Sequence, residues 1–317
     1  MGASGVTVSR ICFGTMSFGT VADETTSTAL FRRCREAGIQ FFDCANVYGK
    51  GRSEEILGRL IRDCRDELVI TSKVAGAMGE GKNERGLSRR NILRSVEASL
   101  KRLGTDRIDV YFFHHYDPAT PMEQSLRAMD DLVREGKILY PGLSNWPAWR
   151  TVRALDICER EGWAKPVCVQ PMYNLIKRQA EAEILPMASE EGLAVVPYNP
   201  MGGGVLTGKY TGGQVSGETR LGDSENYRRR YGEPENFDIA ERFVKHARER
   251  GVHPAALAVA WVMHHPAVTA PIIGARSAGQ LEQSLLAAEV PMTDEWWEEI
   301  AALSYPAPVA TDRTEER

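Results

Sequence analysis

The sequence predicts an α/β protein of the (β/α)8, or TIM-barrel, class, folded as a single domain over residues 1–317. Three observations carry this. Short apolar runs alternate with longer amphipathic stretches about eight times, the pattern of parallel strands covered by helices. No long linker divides the chain. The first apolar run is followed by Gly14-Thr-Met-Ser-Phe-Gly19, which fails the GxGxxG spacing that opens a doubly wound dinucleotide fold.

The clearest strand candidates are Ile39–Asp43, Leu68–Ser72, Ile108–Phe113, Val167–Gln170 and Leu193–Val196. Each is short, apolar and rich in β-formers, as strands buried on both faces must be. Ile11–Phe13, Ile138–Leu139 and Ala270–Ile273 are weaker members of the same series. Between them lie helical patterns. Thr25 to Ala37 places Ala29, Leu30, Phe31 and Cys34 near one face. Ser88 can cap a helix in which Ile92, Val96, Leu100 and Leu103 recur at helical spacing. Residues 121–135, 147–161 and 179–190 continue the alternation. Pro254 suits a first helical turn, and His265-Pro266 ends that helix. The stretch 209–235, rich in Gly, Arg and Tyr, reads as one long functional loop, and 306–317 as a polar, frayed tail.

Composition excludes several classes. Hydrophobic residues make up 43% and charged residues 26%, with a net charge of −4, too mild for a nucleic-acid or anionic-membrane ligand. No apolar run is long enough to span a bilayer, no signal peptide is visible, and Val6 lacks the hydroxyl preferred after a myristoylated Met1-Gly2. Six dispersed cysteines without CxxC spacing argue against a disulfide framework and for a cytoplasmic address. The histidines lack a carboxylate-rich ligand set, so no metal is expected. Oligomeric state is not legible.

In a barrel the chemistry sits where strands end. Asp43, Lys73 and His114 close the second, third and fourth strands, and Tyr48 lies in the loop after Asp43. Together they suit protonation of a developing alkoxide. Tyr48 is the general acid. Lys73 lowers the phenol pKa, Asp43 holds Lys73, and His114 orients a carbonyl oxygen or relays a proton. Each residue alone fits an ordinary structural role; the inference rests on their order at adjacent strand ends.

Ordered blocks then make a specific resemblance. Phe42–Gly49 (FDCANVYG), Ile70–Val74 (ITSKV), Arg107–His114 (RIDVYFFH), Gly142–Asn145 (GLSN), Gln170–Asn174 (QPMYN), Pro197–Lys209 (PYNPMGGGVLTGK) and Ile272–Arg276 (IIGAR) resemble those of the aldo-keto reductase superfamily over nearly the whole chain. The resemblance implies NADPH-dependent reduction of an aldehyde or ketone, with Asp43, Tyr48, Lys73 and His114 as the catalytic tetrad. It places the cofactor against Thr15, Met16, Asp43, Ser144, Asn145, Gln170, Tyr198, Asn199, Pro200, Met201, Gly202, Gly204, Lys209, Arg220, Gly274, Arg276, Gln280 and Ser284. Tyr198 would stack on the nicotinamide, Lys209 and Arg220 would serve the pyrophosphate, and Arg276 the 2′-phosphate that favours NADPH over NADH. Ser277–Gln280 also reads as a capping box. Phe18, Tyr48, His114, His115, Tyr116 and Trp146 would wall a small-molecule carbonyl pocket, with an oxygenated or sugar-like substrate suggested by the polar residues.

The chain departs from the family in a shortened N-terminal hairpin, in Asn199 for a usual serine, and in Gln283 and Ser284 at adenine-facing positions. Pro141 interrupts the fifth strand. Two rival readings remain: a regulatory subunit that binds cofactor with little turnover, and an isomerase or hydrolase barrel without nicotinamide.

Overall fold

The computed structural model describes residues 1–210 and 219–311. Its centre is one eight-stranded parallel sheet of β1 (Cys12–Gly14), β2 (Phe41–Asp43), β3 (Val69–Val74), β4 (Ile108–Phe113), β5 (Ile138–Ser144), β6 (Cys168–Gln170), β7 (Ala194–Val195) and β8 (Ile272–Ile273). The strand order is β7-β6-β5-β4-β3-β2-β1-β8. The two ends meet. Thr269 and Ile272 N–H groups donate to the carbonyls of Val195 and Pro197, both at 2.8 Å, and Tyr198 forms a parallel bridge with Ile272. The sheet therefore closes into the expected (β/α)8 barrel.

Period-two alternation explains the two apolar faces. Cys12, Phe41, Val69, Val110, Phe112, Cys168, Ala194 and Ile272 form a cluster of their own that fills the barrel. Their neighbours Phe13, Phe42, Ile70, Phe113, Val169, Val195 and Ile273 join the larger outer cluster under the helices. Gly142 in β5 makes room for this filling, since a Cβ there would sit 2.6 Å from the Phe112 ring. Pro141 costs β5 little: its carbonyl still accepts the Val167 N–H at 3.1 Å.

At the opposite end from the site, Met1, Val6 and Val8 pack against the inner cluster, and the Ala3 N–H donates to Gly192. A 3-10 turn at Gly2–Ser4, rather than a strand pair, lies there.

The outer layer comprises α1 (Glu24–Glu36), α2 (Arg52–Ile61), α3 (Arg89–Leu103), α4 (Met122–Arg134), α5 (Ala148–Glu161), α6 (Ile184–Glu190), α7 (Arg220–Asp223), α8 (Glu225–Tyr231), α9 (Pro234–Glu249), α10 (Pro254–His264), α11 (Ala278–Leu285) and α12 (Asp294–Ala301). Ser88 caps α3 through its hydroxyl, as its sequence position suggests. The stretch expected as a helix over 179–190 divides into a 3-10 turn at Gln179–Glu181 and α6, whose early Pro186 is tolerated only in a first turn. The stretch 209–235, read as a loop, carries α7 and α8, while 211–218 lies outside the described residues. Of the expected tail, 306–311 forms no helix or strand, and 312–317 lies outside the described residues. Among the described residues no helix is long and apolar enough to cross a membrane.

Helix α2 seats on α3 through Gly58. A Cβ on Gly58 would lie 2.6 Å from the carbonyl oxygens of both Arg102 and Leu103. Glycine-to-alanine in an open helix stabilises by roughly 1 kcal/mol. Here we expect the opposite sign, a loss of about 1–3 kcal/mol for Gly58→Ala, because backbone cannot yield as a side chain can. Urea unfolding tests this; a gain in stability would show that the two helices are free to part.

Candidate active site

The site is built around a buried ion pair. Asp43 ends β2 and Lys73 lies near the end of β3, two strands whose register pairs Asp43 with Thr71. Lys73 is fully buried. Its Nζ donates to Asp43 Oδ1 at 2.7 Å, to Oδ2 at 2.6 Å and to the Cys44 carbonyl at 2.8 Å. Asp43 Oδ1 also accepts from Thr71 Oγ1 at 2.7 Å and Gln170 Nε2 at 2.9 Å. Oδ1 thus takes three donors and Oδ2 one. Burial works against the ammonium, but Asp43 and Tyr48 outweigh it and hold Lys73 above the ordinary lysine range.

Tyr48 reaches this pair from the loop after β2. Its 3-10 turn needs positive φ at Gly49, Lys50 and Gly51, which two glycines adopt freely. The phenol oxygen accepts from Lys73 Nζ at 3.3 Å. Burial pushes the phenol up to about 12; the Lys73 charge pulls the other way and does not prevail. Lys73 thus acts in the expected direction, lowering the phenol, but burial acts against it more strongly. Desolvation outweighs one ammonium, so near neutrality the hydroxyl keeps its proton.

His114 follows β4, its ring edge-on to Tyr48 with centroids 6.1 Å apart. Burial, then the charge of Lys73 and the neighbouring His115, lower it to about 3. His114 is therefore a neutral imidazole at physiological pH. It can donate or accept a hydrogen bond, but a charged relay is disfavoured.

Behind the tetrad, α2 fixes both strands of the ion pair. Ser53 Oγ lies 2.7 Å from the Thr15 carbonyl and 2.8 Å from Thr15 Oγ1, its one proton serving either, and Thr15 Oγ1 in turn donates to the Asp43 carbonyl at 3.0 Å. Next along, the fully buried Glu54 accepts from Ser72 Oγ at 2.5 Å and from Arg102 Nε at 2.7 Å. Neither Ser53 nor Glu54 stands out in the sequence, because a polar dipeptide on a helix normally faces water.

A cavity of 280 Å³ opens above the tetrad. It brings together Met16, Asp43, Tyr48, His114, Ser144, Asn145, Gln170, Tyr198, Asn199 and Gly274, all singled out from the sequence. Their polar groups are wired to one another. Ser144 Oγ donates to the Gln170 carbonyl, Asn145 Nδ2 to the His114 carbonyl at 2.9 Å, and the Tyr198 hydroxyl to Asn145 Oδ1 at 2.7 Å. Gly14, Ile272, Ile273 and four residues from 224–230, among them Tyr227 and Arg230, line the same space. The sequence reading missed these; its one signal was the Arg/Tyr-rich composition of 209–235.

A second cavity of 370 Å³ shares Gly274 with the first and holds Met201, Gly204, Lys209, Arg276, Gln280 and Ser284. Gln283, an adenine-facing position in the resemblance, lines it too, whereas Thr207, His253 and Ala255 were not expected there. Gly203 and Gly204 have φ of 65° and 98°, and a Cβ on Gly204 would meet Lys209 Nζ at 2.5 Å. Such a bare turn beside a lysine fits a phosphate brought close to backbone. Gln280 does not close the expected capping box: Ser277 Oγ accepts the Gln280 N–H, but the Gln280 side chain accepts from the Arg276 N–H instead of Ser277.

Several predicted residues lie elsewhere. Thr15 is fully buried and holds β1 to β2. Phe18 is fully buried against Phe13, and Trp146 stacks on Phe113 beneath the surface, with Tyr116 edge-on to it. His115 points outward and bonds the Tyr116 carbonyl. None of these lines either cavity. Pro200 and Gly202 are buried; a Cβ on Gly202 would strike Ile176. Arg220 begins α7, and its side chain lies outside the described residues. A larger cavity of 690 Å³ beside α9 contains no tetrad residue and borders Tyr210, where the described chain breaks off. Among the described residues no cluster of three or more His, Cys, Asp or Glu is arranged to hold a metal.

Two measurements follow. Lys73→Met should cost roughly 3 kcal/mol in urea unfolding, because it leaves Asp43 buried without its counterion, and adding Asp43→Asn should recover part of that loss. Equal losses would mean that charge pairing is not what matters. His114 has its folded pKa depressed to about 3, below the ordinary unfolded value. The unfolded chain therefore binds the proton first, so this group's stabilisation is complete above about pH 6.5 and is lost as pH falls toward 3. We expect His114→Gln to remove up to roughly 4 kcal/mol of that acid-side loss; an unchanged stability–pH slope would contradict it.

The Aldo/keto reductase family matches residues 10–304 of the chain. The chain is similar to a probable voltage-gated potassium channel subunit beta of Oryza sativa subsp. japonica, 36% identical over 98% of both chains. It is 36% identical to aldo-keto reductase family 7 member A3 of Homo sapiens, over 87% of both chains. It is 33% identical to versiconal hemiacetal acetate reductase of Aspergillus parasiticus, over 93% of both. With the barrel, the strand-end tetrad and matches of this extent, the chain belongs to the aldo/keto reductase family of oxidoreductases.

Proposed function

We propose that this chain reduces an aldehyde or ketone to the alcohol with NADPH, Tyr48 supplying the proton. The observation that carries the proposal is the convergence of Asp43, Tyr48 and His114 on one cavity, with the buried Lys73 Nζ behind them 3.3 Å from the phenol oxygen. Family membership supports the cofactor, and the bare glycine turn with Lys209 and Arg276 in the adjoining cavity suits a phosphorylated dinucleotide. Bound nicotinamide would supply the hydride.

The chain's own groups then have these tasks. Ser144, Asn145 and Gln170 offer donors and acceptors to a carboxamide. The amide of Gln170 is oriented, because its Nε2 is committed to Asp43. Tyr198, tied to Asn145, offers a ring face at the cavity wall. Neutral His114 donates a hydrogen bond to the substrate oxygen and holds it near Tyr48. As negative charge grows on that oxygen, Tyr48 releases its proton to it. Lys73 then stabilises the phenolate, which is why an ammonium belongs there although burial keeps the resting phenol protonated. Arg276 suits the 2′-phosphate through guanidinium geometry. The exposed mouth, with Met16, Tyr227 and Arg230, would meet a small-molecule substrate.

A second reading has one observation in its favour. Similarity to a channel β subunit extends over 98% of the chain. In that reading the chain binds NADPH and turns over slowly.

Multiple-turnover NADPH oxidation against a panel of aldehydes, ketones and keto-sugars separates the two. We expect many turnovers by the wild type. Tyr48→Phe should lower kcat by about 10²-fold or more while the Kd for NADPH stays unchanged. Near-normal kcat in the variant would remove Tyr48 as the acid, and a single turnover in the wild type would favour the binding subunit.

A further inference from the structure

The second cavity contains a group that neither the tetrad nor the phosphate-facing residues use. His253 is the N-cap of α10, and its Nδ1 accepts the Ala255 N–H at 3.1 Å. That bond needs a lone pair on Nδ1, so the neutral ring carries its proton on Nε2. No described residue accepts from Nε2. The ring is part of the cavity wall and is half-buried.

Charge divides this cavity by element. The glycine turn and the β8–α11 connection supply its cations, Lys209 and Arg276. The start of α10 and the body of α11 supply neutral groups: His253, Ala255, Gln283 and Ser284. Burial holds the imidazole below its ordinary pKa, and protonating Nδ1 would also break the α10 cap. A dinucleotide 2′-phosphate fits the cationic elements. A fixed, uncharged N–H donor suits a neutral acceptor instead.

We propose that His253 recognises the adenosine of the bound dinucleotide, its Nε2–H donating to a neutral acceptor of that nucleoside rather than to the 2′-phosphate. This rests on the cofactor reading above. It also supplies a polar contact at the adenine end, where Gln283 and Ser284 depart from the family pattern.

The test is His253→Ser, since serine keeps an N-cap oxygen for α10 and removes only the ring donor. Dissociation constants are measured by cofactor fluorescence for NADPH, NADH and reduced nicotinamide mononucleotide, with thermal unfolding to verify that the helix stays capped. A neutral hydrogen bond predicts a Kd about fivefold higher for both NADPH and NADH, and no change for the mononucleotide. Unchanged dinucleotide affinity would overturn the proposal. So would a loss confined to NADPH, which would assign the ring to the phosphate, or an equal loss for the mononucleotide, which would point to general damage. Should His253→Ser unfold, His253→Asn, which also caps, is held to the same ratios. Failure of the wild type to bind either dinucleotide would instead remove the cofactor reading itself, and this inference with it.

Discussion

A charged lysine sits at zero exposure inside this barrel, and the surrounding structure is arranged to keep it there. An isolated ammonium in such a place would shed its proton or unfold its surroundings. Asp43 meets it with both oxygens, the Cys44 carbonyl takes a further contact, and Thr71 and Gln170 donate to Asp43 Oδ1. These partners come from β2, β3 and β6. A barrel is the fold that can bring three such strand ends within bonding distance without a flexible loop among them. The Ser53–Glu54 step of α2 then locks the backbone on either side, through Thr15 and Ser72. Gln170 ties the pair to β6 on another wall of the cavity, so that residues from both sides share one carboxylate.

Burial sets the protonation state of each reactive group, and it does so in different directions. It raises the Tyr48 phenol and lowers the His114 imidazole, and it works against the Lys73 ammonium, where Asp43 and Tyr48 outweigh it. The result is a donor hydroxyl and a neutral orienting ring beside a permanent cation. In the proposed reduction, such groups would favour charge developing on a bound oxygen, with little reorganisation of their own.

Much of this was legible in advance because parallel strands buried on both faces have a strong compositional signature. Ile108–Phe113 and Leu68–Ser72 declare themselves, and the polar residue that ends such a run is conspicuous. The failures have physical reasons. Helix α2 hides its function in Ser53 and Glu54, whose burial depends on α3 and β3 rather than on local pattern. Phe18 and Trp146 look like pocket aromatics, yet large rings are equally suited to fill space between strand and helix, and here they do. The cavity wall instead comes in part from α8, whose Tyr and Arg residues follow no strong apolar period. Pro141 read as an interruption of β5, but its carbonyl, the half of the peptide that proline retains, is the half the ladder uses.

The sequence by itself determined the barrel and which polar residues stand at adjacent strand ends, because these depend on hydrophobic periodicity and on residue types at the ends of buried runs. Only the tertiary structure decided the balance of charges in the site. Whether Lys73 or desolvation governs Tyr48 depends on distances and exclusion of water, which are properties of the packed whole. The same holds for His253: Pro254 marks a helix start in the sequence, and only the approach of α10 to the glycine turn and α11 places the capping ring in the wall of a cavity.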